Sequence, residues 1–148
     1  MTQEKPLKRE TYPDRPRVAV GALVFREGRV LLVQRGAPPG AGLWAVPGGG
    51  VELGESLAAA AEREIREETG VLIRAGEVVP TFDVIERDSQ GRVRFHYVIV
   101  DLLGEYLEGE PAAGDDAREA RWVGPGELGD LELSPPTREL LRKRFGFG

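Results

Sequence analysis

A short glycine-rich segment followed by a helix with three clustered carboxylates constrains this chain more than any other part of its sequence. Residues 48–50 are all glycine, and Glu64, Glu67 and Glu68 follow shortly afterwards. On a helix these three glutamates stand at i, i+3 and i+4, so they project from one face. Like charges at that spacing repel by roughly 0.2–0.5 kcal/mol per pair. Folding alone does not favour this arrangement, and the pattern indicates a bound cation, with a solvated acidic helix face as the alternative.

The helix itself is predicted to run from Leu57 to Thr69, with Ser56 as its N-cap and Gly70 as its C-cap. The glutamates then lie close to the negative end of the helix macrodipole, which makes a neutralising cation still more necessary. Oxygen ligands on one rigid face suit Mg²⁺ or Mn²⁺. The glutamates are expected to face outward, and the core-facing residues are predicted to be Leu57, Ala58, Ala61 and Ile65.

Composition excludes several other kinds of site. The chain has 148 residues, no cysteine and a single histidine. Thiol nucleophiles, disulfides, thiolate metal sites and multi-histidine zinc sites are therefore excluded. The net charge of −5 argues against a general nucleic-acid-binding surface, and we expect no nucleic-acid partner.

The N-terminal residues 1–16 are polar and contain three prolines, without the apolar stretch of a signal peptide. No run approaches the roughly 18 apolar residues of a membrane span. The sequence thus predicts a cytoplasmic protein with no membrane partner. Residues 1–16 are interpreted as an N-terminal arm, which could exchange between the subunits of a homodimer, and residues 17–148 as a single domain.

The domain is predicted to be α/β, with a mixed sheet covered by helices on both faces. Apolar runs bounded by turn signals indicate the strands, and the glycines at 48–50 are interpreted as a turn. A final helix is expected at residues 137–144, after two prolines. The predicted strands are residues 17–25, 29–35, 78–86, 93–103 and 120–123.

The spacing around the helix resembles the signature box of the Nudix hydrolases. Its elements are Gly49, Glu55 after five residues, and Arg63-Glu64 after seven more, followed by Ile65, Glu67-Glu68, Gly70 and Val71. The resemblance implies the α/β/α sandwich of that family, with the box forming a loop–helix–loop. It also implies hydrolysis of a nucleoside diphosphate linked to another group, with water attacking phosphorus.

The same resemblance assigns roles to individual residues. It implies that Glu64 and Glu68 are the principal ligands of Mg²⁺ or Mn²⁺ and that the backbone carbonyl of Gly48 is an additional ligand. Glu67 is a further metal ligand or the general base. Downstream alternatives for the base are Glu105, Glu108, Glu110, Asp115, Asp116 and Glu119.

Other residues are expected to support the substrate or the helix. Gly48, Gly49 and Gly50 allow positive φ and let a phosphate approach the backbone closely. Arg35, at the end of a strand, is a candidate for gripping a substrate phosphate, with an ordinary surface arginine as the alternative. Glu55 and Arg63 are expected to pair across the junction between the loop and the helix as structural support, with a direct metal-ligand role for Glu55 as the alternative.

The substrate is predicted less directly than the reaction. Residues 96–101, 113–117 and 119–123 look similar to the ADP-ribose pyrophosphatase branch of the family, which implies cleavage of ADP-ribose to AMP and ribose 5-phosphate. A nucleoside triphosphate pyrophosphohydrolase of the MutT type suits the small size of the chain equally well. A non-catalytic module that senses nucleotides is the third alternative, although such modules commonly lose glutamates of the box.

Overall fold

Eight strands form one mixed sheet in the computed structural model, which describes residues 11–146. Two α-helices, α1 (Leu57–Thr69) and α2 (Pro135–Phe145), accompany the sheet. A short 3-10 helix, Pro125–Asp130, precedes α2. The strands are β1 (Arg17–Arg26), β2 (Arg29–Arg35), β3 (Trp44–Ala45), β4 (Gly48–Gly50), β5 (Leu72–Val78), β6 (Phe82–Arg87), β7 (Val93–Glu108) and β8 (Ala117–Val123).

The centre of the sheet is β1, which pairs in parallel with β7 and antiparallel with β2 and β4. On the outer side of β7, β5 and β6 pair with successive halves of that long strand. On the other side, β2 pairs with β3 and β8. The strands thus combine parallel and antiparallel pairing, as predicted for a mixed sheet.

The two helices cover opposite faces of the sheet. Alternate residues of a strand point to opposite faces, and Ala22 and Val24 of β1 pack in a cluster with Ile65 of α1. Leu23, between them, belongs to the cluster that contains Leu141 of α2. This arrangement confirms the predicted α+β sandwich with helices on both sides of the sheet.

The segment between α1 and β7 differs from the sequence prediction. One strand is predicted at residues 78–86, whereas β5 ends at Val78 and β6 begins at Phe82. Pro80 in the intervening segment has no N–H for a strand ladder. The N–H of Val79 instead donates to the carbonyl of Asp101 in β7 at 2.9 Å. The prediction is therefore wrong here, because β5 was missed and the break at the proline was not recognised.

The three glycines are a strand and not the predicted turn. β4 pairs antiparallel with β1, with Gly48 opposite Gly21 and Gly50 opposite Ala19. None of the three has a φ in the left-handed region, so the prediction of positive φ is wrong. Glycine is needed at residue 48 for close approach, since a Cβ there would overlap the backbone carbonyl of Val20.

Residues 1–10 of the predicted arm lie outside the described residues. Within the described part of the arm, the N–H of Tyr12 donates to the carbonyl of Arg94 at 2.9 Å and its hydroxyl to Asp88 Oδ2, also at 2.9 Å. Neither α-helix in residues 11–146 is long and apolar enough to cross a bilayer. The division into an arm and one domain stays a prediction.

Candidate active site

Helix α1 has the predicted boundaries because both of its ends are capped locally. The hydroxyl of Ser56 accepts a hydrogen bond from the N–H of Ala59 at 3.0 Å. At the other end Gly70 adopts the left-handed conformation with φ of 79°, and its N–H donates to Arg66. Such caps satisfy backbone groups that a helix leaves unpaired. They fix the position along the chain at which the carboxylates occur.

The three glutamates differ in burial, although they share one side of α1. Glu68 is buried, with 8% of its surface exposed, and its Oε1 accepts a hydrogen bond from the N–H of Gly48 at 2.8 Å. The Glu67 side chain is 32% exposed and that of Glu64 15%. The expectation that all three face outward is therefore wrong for Glu68, which reaches back to β4. Leu57, predicted to face the core, is exposed.

Gly49 brings β4 into direct contact with the carboxylate of Glu64. A Cβ at residue 49 would overlap that carboxylate, whereas a Cβ at Gly50 would meet nothing within 4 Å. Two adjacent glycines of β4 therefore contact two carboxylates of α1. Gly48 donates its N–H to Glu68, and Gly49, which has no Cβ, leaves room for Glu64. The loop and the helix of the box are held together at this point.

Arg63 is the cation that the structure places among these carboxylates. Its guanidinium forms two hydrogen bonds with Glu55, from Nε to Oε2 at 2.6 Å and from Nη2 to Oε1 at 2.8 Å. Nη1 also contacts Glu64 Oε2 at 2.8 Å and Glu67 Oε1 at 3.3 Å. The ion pair predicted between Glu55 and Arg63 is present, although its supporting role stays a prediction.

These contacts shift the ionisation of both partners. The hydrogen bonds from Arg63 hold the pKa of Glu55 below its usual value of 4.5. The same bonds, together with Glu64, raise the pKa of Arg63 further above neutral pH. Both groups are thus charged at neutral pH, as a permanent ion pair requires.

The donor set suits a hard divalent cation, although it is not assembled around one. Mg²⁺ and Mn²⁺ favour oxygen ligands. Such ligands are available from the carboxylates of Glu64, Glu67 and Glu68 and from the backbone carbonyl of Gly48. Within residues 11–146, no three His, Cys, Asp or Glu side chains already lie close enough to form a metal-ligand group. Glu64 and Glu67 contact Arg63, and Glu68 contacts β4, so a cation would have to draw these carboxylates together.

The loop after β7 packs its backbone against the end of α1. The N–H groups of Ala112, Gly114 and Asp115 donate to carbonyls in the last turn of the helix, at 2.8, 2.8 and 3.3 Å. This loop therefore brings Asp115 beside the carboxylate-bearing turn. Asp116 lies next to it, with its carbonyl accepting from the N–H of Gly36 at 2.9 Å.

The remaining candidates for the general base lie on strands or beyond them. Glu105 in β7 pairs with Arg74 at 3.5 Å, and Glu119 in β8 lies 3.7 Å from Arg121. Glu110 contacts Arg26 at 3.4 Å, and Glu108 ends β7 as an exposed residue. The arginines that contact Glu105, Glu110 and Glu119 are exposed or half-buried and lie outside α1.

A cavity of about 280 Å³ opens beside β4, close to the lower size limit of about 300 Å³ for small-molecule sites. Arg35, Gly48, Gly49 and Gly50, all predicted site residues, contribute to its lining. The Arg35 Nε donates to the carbonyl of Pro39 at 2.7 Å, which anchors the guanidinium to the loop between β2 and β3. β4 thus borders both the cavity and the carboxylates of α1.

Two residues of the cavity wall were missed by sequence reasoning. Arg17 and Asp101 both line the cavity, at the start of β1 and in the middle of β7. Burial raises the pKa of the Asp101 carboxyl from its usual 3.8 to about 6. The available signal was that Asp101 interrupts the apolar run from Val98 to Leu103, where a carboxylate is costly without a function.

The comparisons with known proteins identify the family to which this fold belongs. The model of the NUDIX domain matches residues 15–144. An ADP-ribose pyrophosphatase of Methanocaldococcus jannaschii is 36% identical over 87% of this chain and 74% of its own. The nucleoside triphosphatase NudI of Escherichia coli is 34% identical over 86% of this chain and 96% of its own. The crystal structure of a MutT Nudix hydrolase from Burkholderia pseudomallei has a TM-score of 0.75 and 34% identity, covering 88% of this chain and 99% of that one.

The fold, a mixed sheet between two helices, and these likenesses together define the class as enzymes that cleave phosphoric anhydrides. The chain belongs to the Nudix family. It is a Nudix pyrophosphohydrolase, as predicted from the resemblance of its sequence to the Nudix box.

Proposed function

We propose that this enzyme hydrolyses ADP-ribose to AMP and ribose 5-phosphate with Mg²⁺ or Mn²⁺ bound at α1. The observation that carries the reaction is the shared position of β4, which borders the cavity on one side and contacts Glu64 and Glu68 on the other. A nucleoside in the cavity then has its diphosphate beside the carboxylates. The choice of ADP-ribose is supported by the likeness to the archaeal ADP-ribose pyrophosphatase.

The absence of side chains along β4 is what makes this path for a diphosphate feasible. A Cβ at Gly50 would point into open space, so the approach to the strand is open at this residue. Glycine commonly occurs where a ligand must come close to the backbone. Arg35, in the lining of the same cavity, has a planar guanidinium that suits phosphate oxygens.

Glu64 and Glu68, with the carbonyl of Gly48, are the residues that would hold the cation. When bound, the cation neutralises charge on the diphosphate and lowers the pKa of the attacking water. The water oxygen forms a bond to phosphorus while the anhydride P–O bond breaks, and the water proton passes to Glu67 as general base. Arg63 remains hydrogen-bonded to Glu55 and to the carbonyl of Gly50, which holds the loop in place relative to the helix.

A nucleoside triphosphate is the second candidate substrate, and the likeness to the nucleoside triphosphatase NudI favours it. The match covers 96% of that enzyme but 74% of the archaeal relative, so NudI is closer to this chain in length. The same carboxylates would serve either substrate, because both contain a phosphoric anhydride. Only the group beyond the cleaved bond differs.

A panel of substrates tests this proposal. Purified enzyme with Mg²⁺, and separately with Mn²⁺, is offered ADP-ribose, sugar nucleotides, dinucleoside polyphosphates and nucleoside triphosphates, and products are separated by chromatography. We expect AMP and ribose 5-phosphate from ADP-ribose at the highest kcat/KM. Release of pyrophosphate or phosphate from a triphosphate at higher kcat/KM would favour the second candidate. A folded enzyme that binds metal but cleaves none of these compounds would indicate a nucleotide-sensing module.

The predicted cytoplasmic location, the homodimer and the lack of a nucleic-acid partner remain predictions from the sequence. A small-molecule nucleotide is the partner that this proposal requires.

A further inference from the structure

Asp101 is the most deeply buried acidic residue among those that the structure describes. Only 3% of the residue is exposed, and burial raises the pKa of its carboxyl. Burying a carboxyl group costs free energy, and native proteins rarely retain such a group without a reason.

The direction of this carboxyl is set by the pairing of β7 with β1. In register, Tyr97, Ile99 and Asp101 lie beside Arg17, Ala19 and Gly21. Alternation along a strand puts each of these sets on one face, and all six residues line the cavity beside β4. A Cβ at Gly21 would lie 2.5 Å from Oδ1 of Asp101, so glycine leaves the room that the carboxyl occupies.

The rest of the cavity wall is mainly apolar, which suits a flat ring. Leu43, Val46, Phe82, Val84 and Ile99 contribute to it. The hydroxyl of Tyr97, in the same wall, is also buried and lacks a hydrogen-bond partner in the described structure. Apolar walls with a few unpaired polar groups are typical of a site that orients one ligand.

We propose that Asp101 determines which nucleobase the enzyme accepts, by accepting a hydrogen bond from the exocyclic amino group of adenine. This inference rests on the proposed function, since it names the base of the same substrate. An ionised carboxyl only accepts hydrogen bonds. The 6-amino group of adenine donates to it, whereas the 6-carbonyl of hypoxanthine or guanine would present a second acceptor and leave both groups unpaired.

Equilibrium binding of nucleoside monophosphates tests the inference without hydrolysis, because a monophosphate has no anhydride to cleave. Calorimetry with saturating Mg²⁺ compares AMP with IMP, which differs from AMP by a carbonyl in place of the amino group. The proteins are wild type, Asp101→Asn, Asp101→Leu and the control Asp83→Asn, an exposed aspartate of the neighbouring β6. Thermal melts of each variant establish that it is folded.

We expect wild type and Asp83→Asn to bind AMP at least about tenfold tighter than IMP, which is the usual scale for an unpaired buried polar group. Asp101→Asn should reduce this preference to within about threefold, because an amide can turn its NH₂ toward the carbonyl of IMP. The affinity of Asp101→Leu for AMP should be at least about tenfold lower than that of wild type, and its preference for AMP over IMP should be lost. A merely structural role for Asp101 would weaken both nucleotides equally and leave their ratio unchanged.

Equal affinity of wild type for AMP and IMP would overturn the inference, and this comparison needs no variant. A preference that persists in folded Asp101→Leu would overturn it as well. If AMP is preferred through Asp101 but ADP-ribose is not hydrolysed, the proposed substrate is wrong while the role of Asp101 stands. If ADP-ribose is hydrolysed without any preference for AMP, only the role of Asp101 is wrong.

Discussion

Arg63 and Glu55 form a two-pronged ion pair that joins helix α1 to the loop before it, with contacts of 2.6 and 2.8 Å. The Arg63 and Glu55 side chains are only 17% and 15% exposed. The same guanidinium donates to the carbonyl of Gly50 at 2.9 Å and to Glu64 Oε2 at 2.8 Å. One side chain therefore connects the loop, β4 and a candidate metal ligand, and its planar fork is required for all of these contacts.

We expect Arg63→Lys to keep the charge but lose the paired hydrogen bonds. Turnover should fall about tenfold or more because Glu64 loses its orientation. The melting temperature should drop by about 5 °C, the scale expected when a partly buried pair is broken in a domain of this size. Steady-state kinetics and calorimetric melts measure the two effects.

Arg74→Lys is the matched control for that substitution, because Arg74 has an exposed contact with Glu105 at 3.5 Å. Exposed pairs contribute little, so this variant should behave as wild type. An Arg63→Lys enzyme with unchanged turnover and melting temperature would contradict the positioning role of Arg63.

The three glycines of β4 should respond differently to alanine. In Gly48→Ala the new methyl group would overlap the backbone of Val20, which cannot move without separating β4 from β1, so stability should fall by about 1–3 kcal/mol. In Gly49→Ala the methyl group would meet the end of the flexible Glu64 side chain. Stability should then change by less than about 1 kcal/mol, while turnover falls about tenfold or more as the carboxylate is displaced.

Gly50→Ala is the stability control of this series, because its Cβ would meet nothing within 4 Å. Its free energy of unfolding should stay within about 0.5 kcal/mol of wild type. Denaturant unfolding and kinetics of the three variants separate the cases. Equal losses of stability at residues 48 and 50 would show that backbone packing against β1 is not the constraint.

Asp101 should make the stability of the enzyme depend on pH. Its pKa is raised by burial from 3.8 to about 6, so the folded protein binds more protons than the unfolded chain between these values. Stability from this group is therefore fully present below pH 4 and is lost as the pH rises through 6. The difference corresponds to about 3 kcal/mol at most.

Asp101→Asn removes this titration, and its effect is measured by denaturant unfolding at pH 4 and pH 7. Relative to wild type, the variant should gain stability on going from pH 4 to pH 7. The same relative stability at both pH values would mean that the Asp101 carboxyl is not perturbed in the folded protein.

Glu67 is the residue we expect to take the proton of the attacking water. Its side chain is the most exposed of the three helix glutamates and lies 3.3 Å from Arg63 Nη1. Glu67→Gln should lower kcat about 10²-fold or more. Asp115→Asn, Asp116→Asn, Glu105→Gln and Glu119→Gln are measured in parallel. A loss of kcat of that size in Asp115→Asn, with Glu67→Gln near wild type, would transfer the role to the loop after β7.

Helix α1 could be predicted from the sequence because its determinants are local. Ser56 and Gly70 cap it within four residues of the groups they satisfy, and the carboxylate spacing follows from helix geometry. The ion pair of Glu55 with Arg63 was predictable for the same reason, since eight residues separate the partners along the box.

Other features depend on residues that are distant in the sequence. The strand character of Gly48–Gly50 comes from pairing with β1, about thirty residues earlier. The burial of Glu68 follows from its bond to Gly48, 20 residues away. The cavity required β7 to pair with β1, which brings Asp101 beside Gly21. Local patterns carry no information about such pairings. The sequence therefore predicted Asp101 only as part of residues 96–101, without a role of its own.

The most direct test of the account is the binding of Mn²⁺ and the turnover of ADP-ribose, measured together in wild type and Glu68→Gln. Glu77→Gln, an exposed glutamate of β5, is the control. We expect Glu68→Gln to stay folded, to bind Mn²⁺ more weakly in electron paramagnetic resonance titrations and to lose about 10²-fold or more of its turnover. A folded Glu68→Gln enzyme with wild-type Mn²⁺ affinity and turnover would contradict the assignment of the catalytic metal to this face of α1.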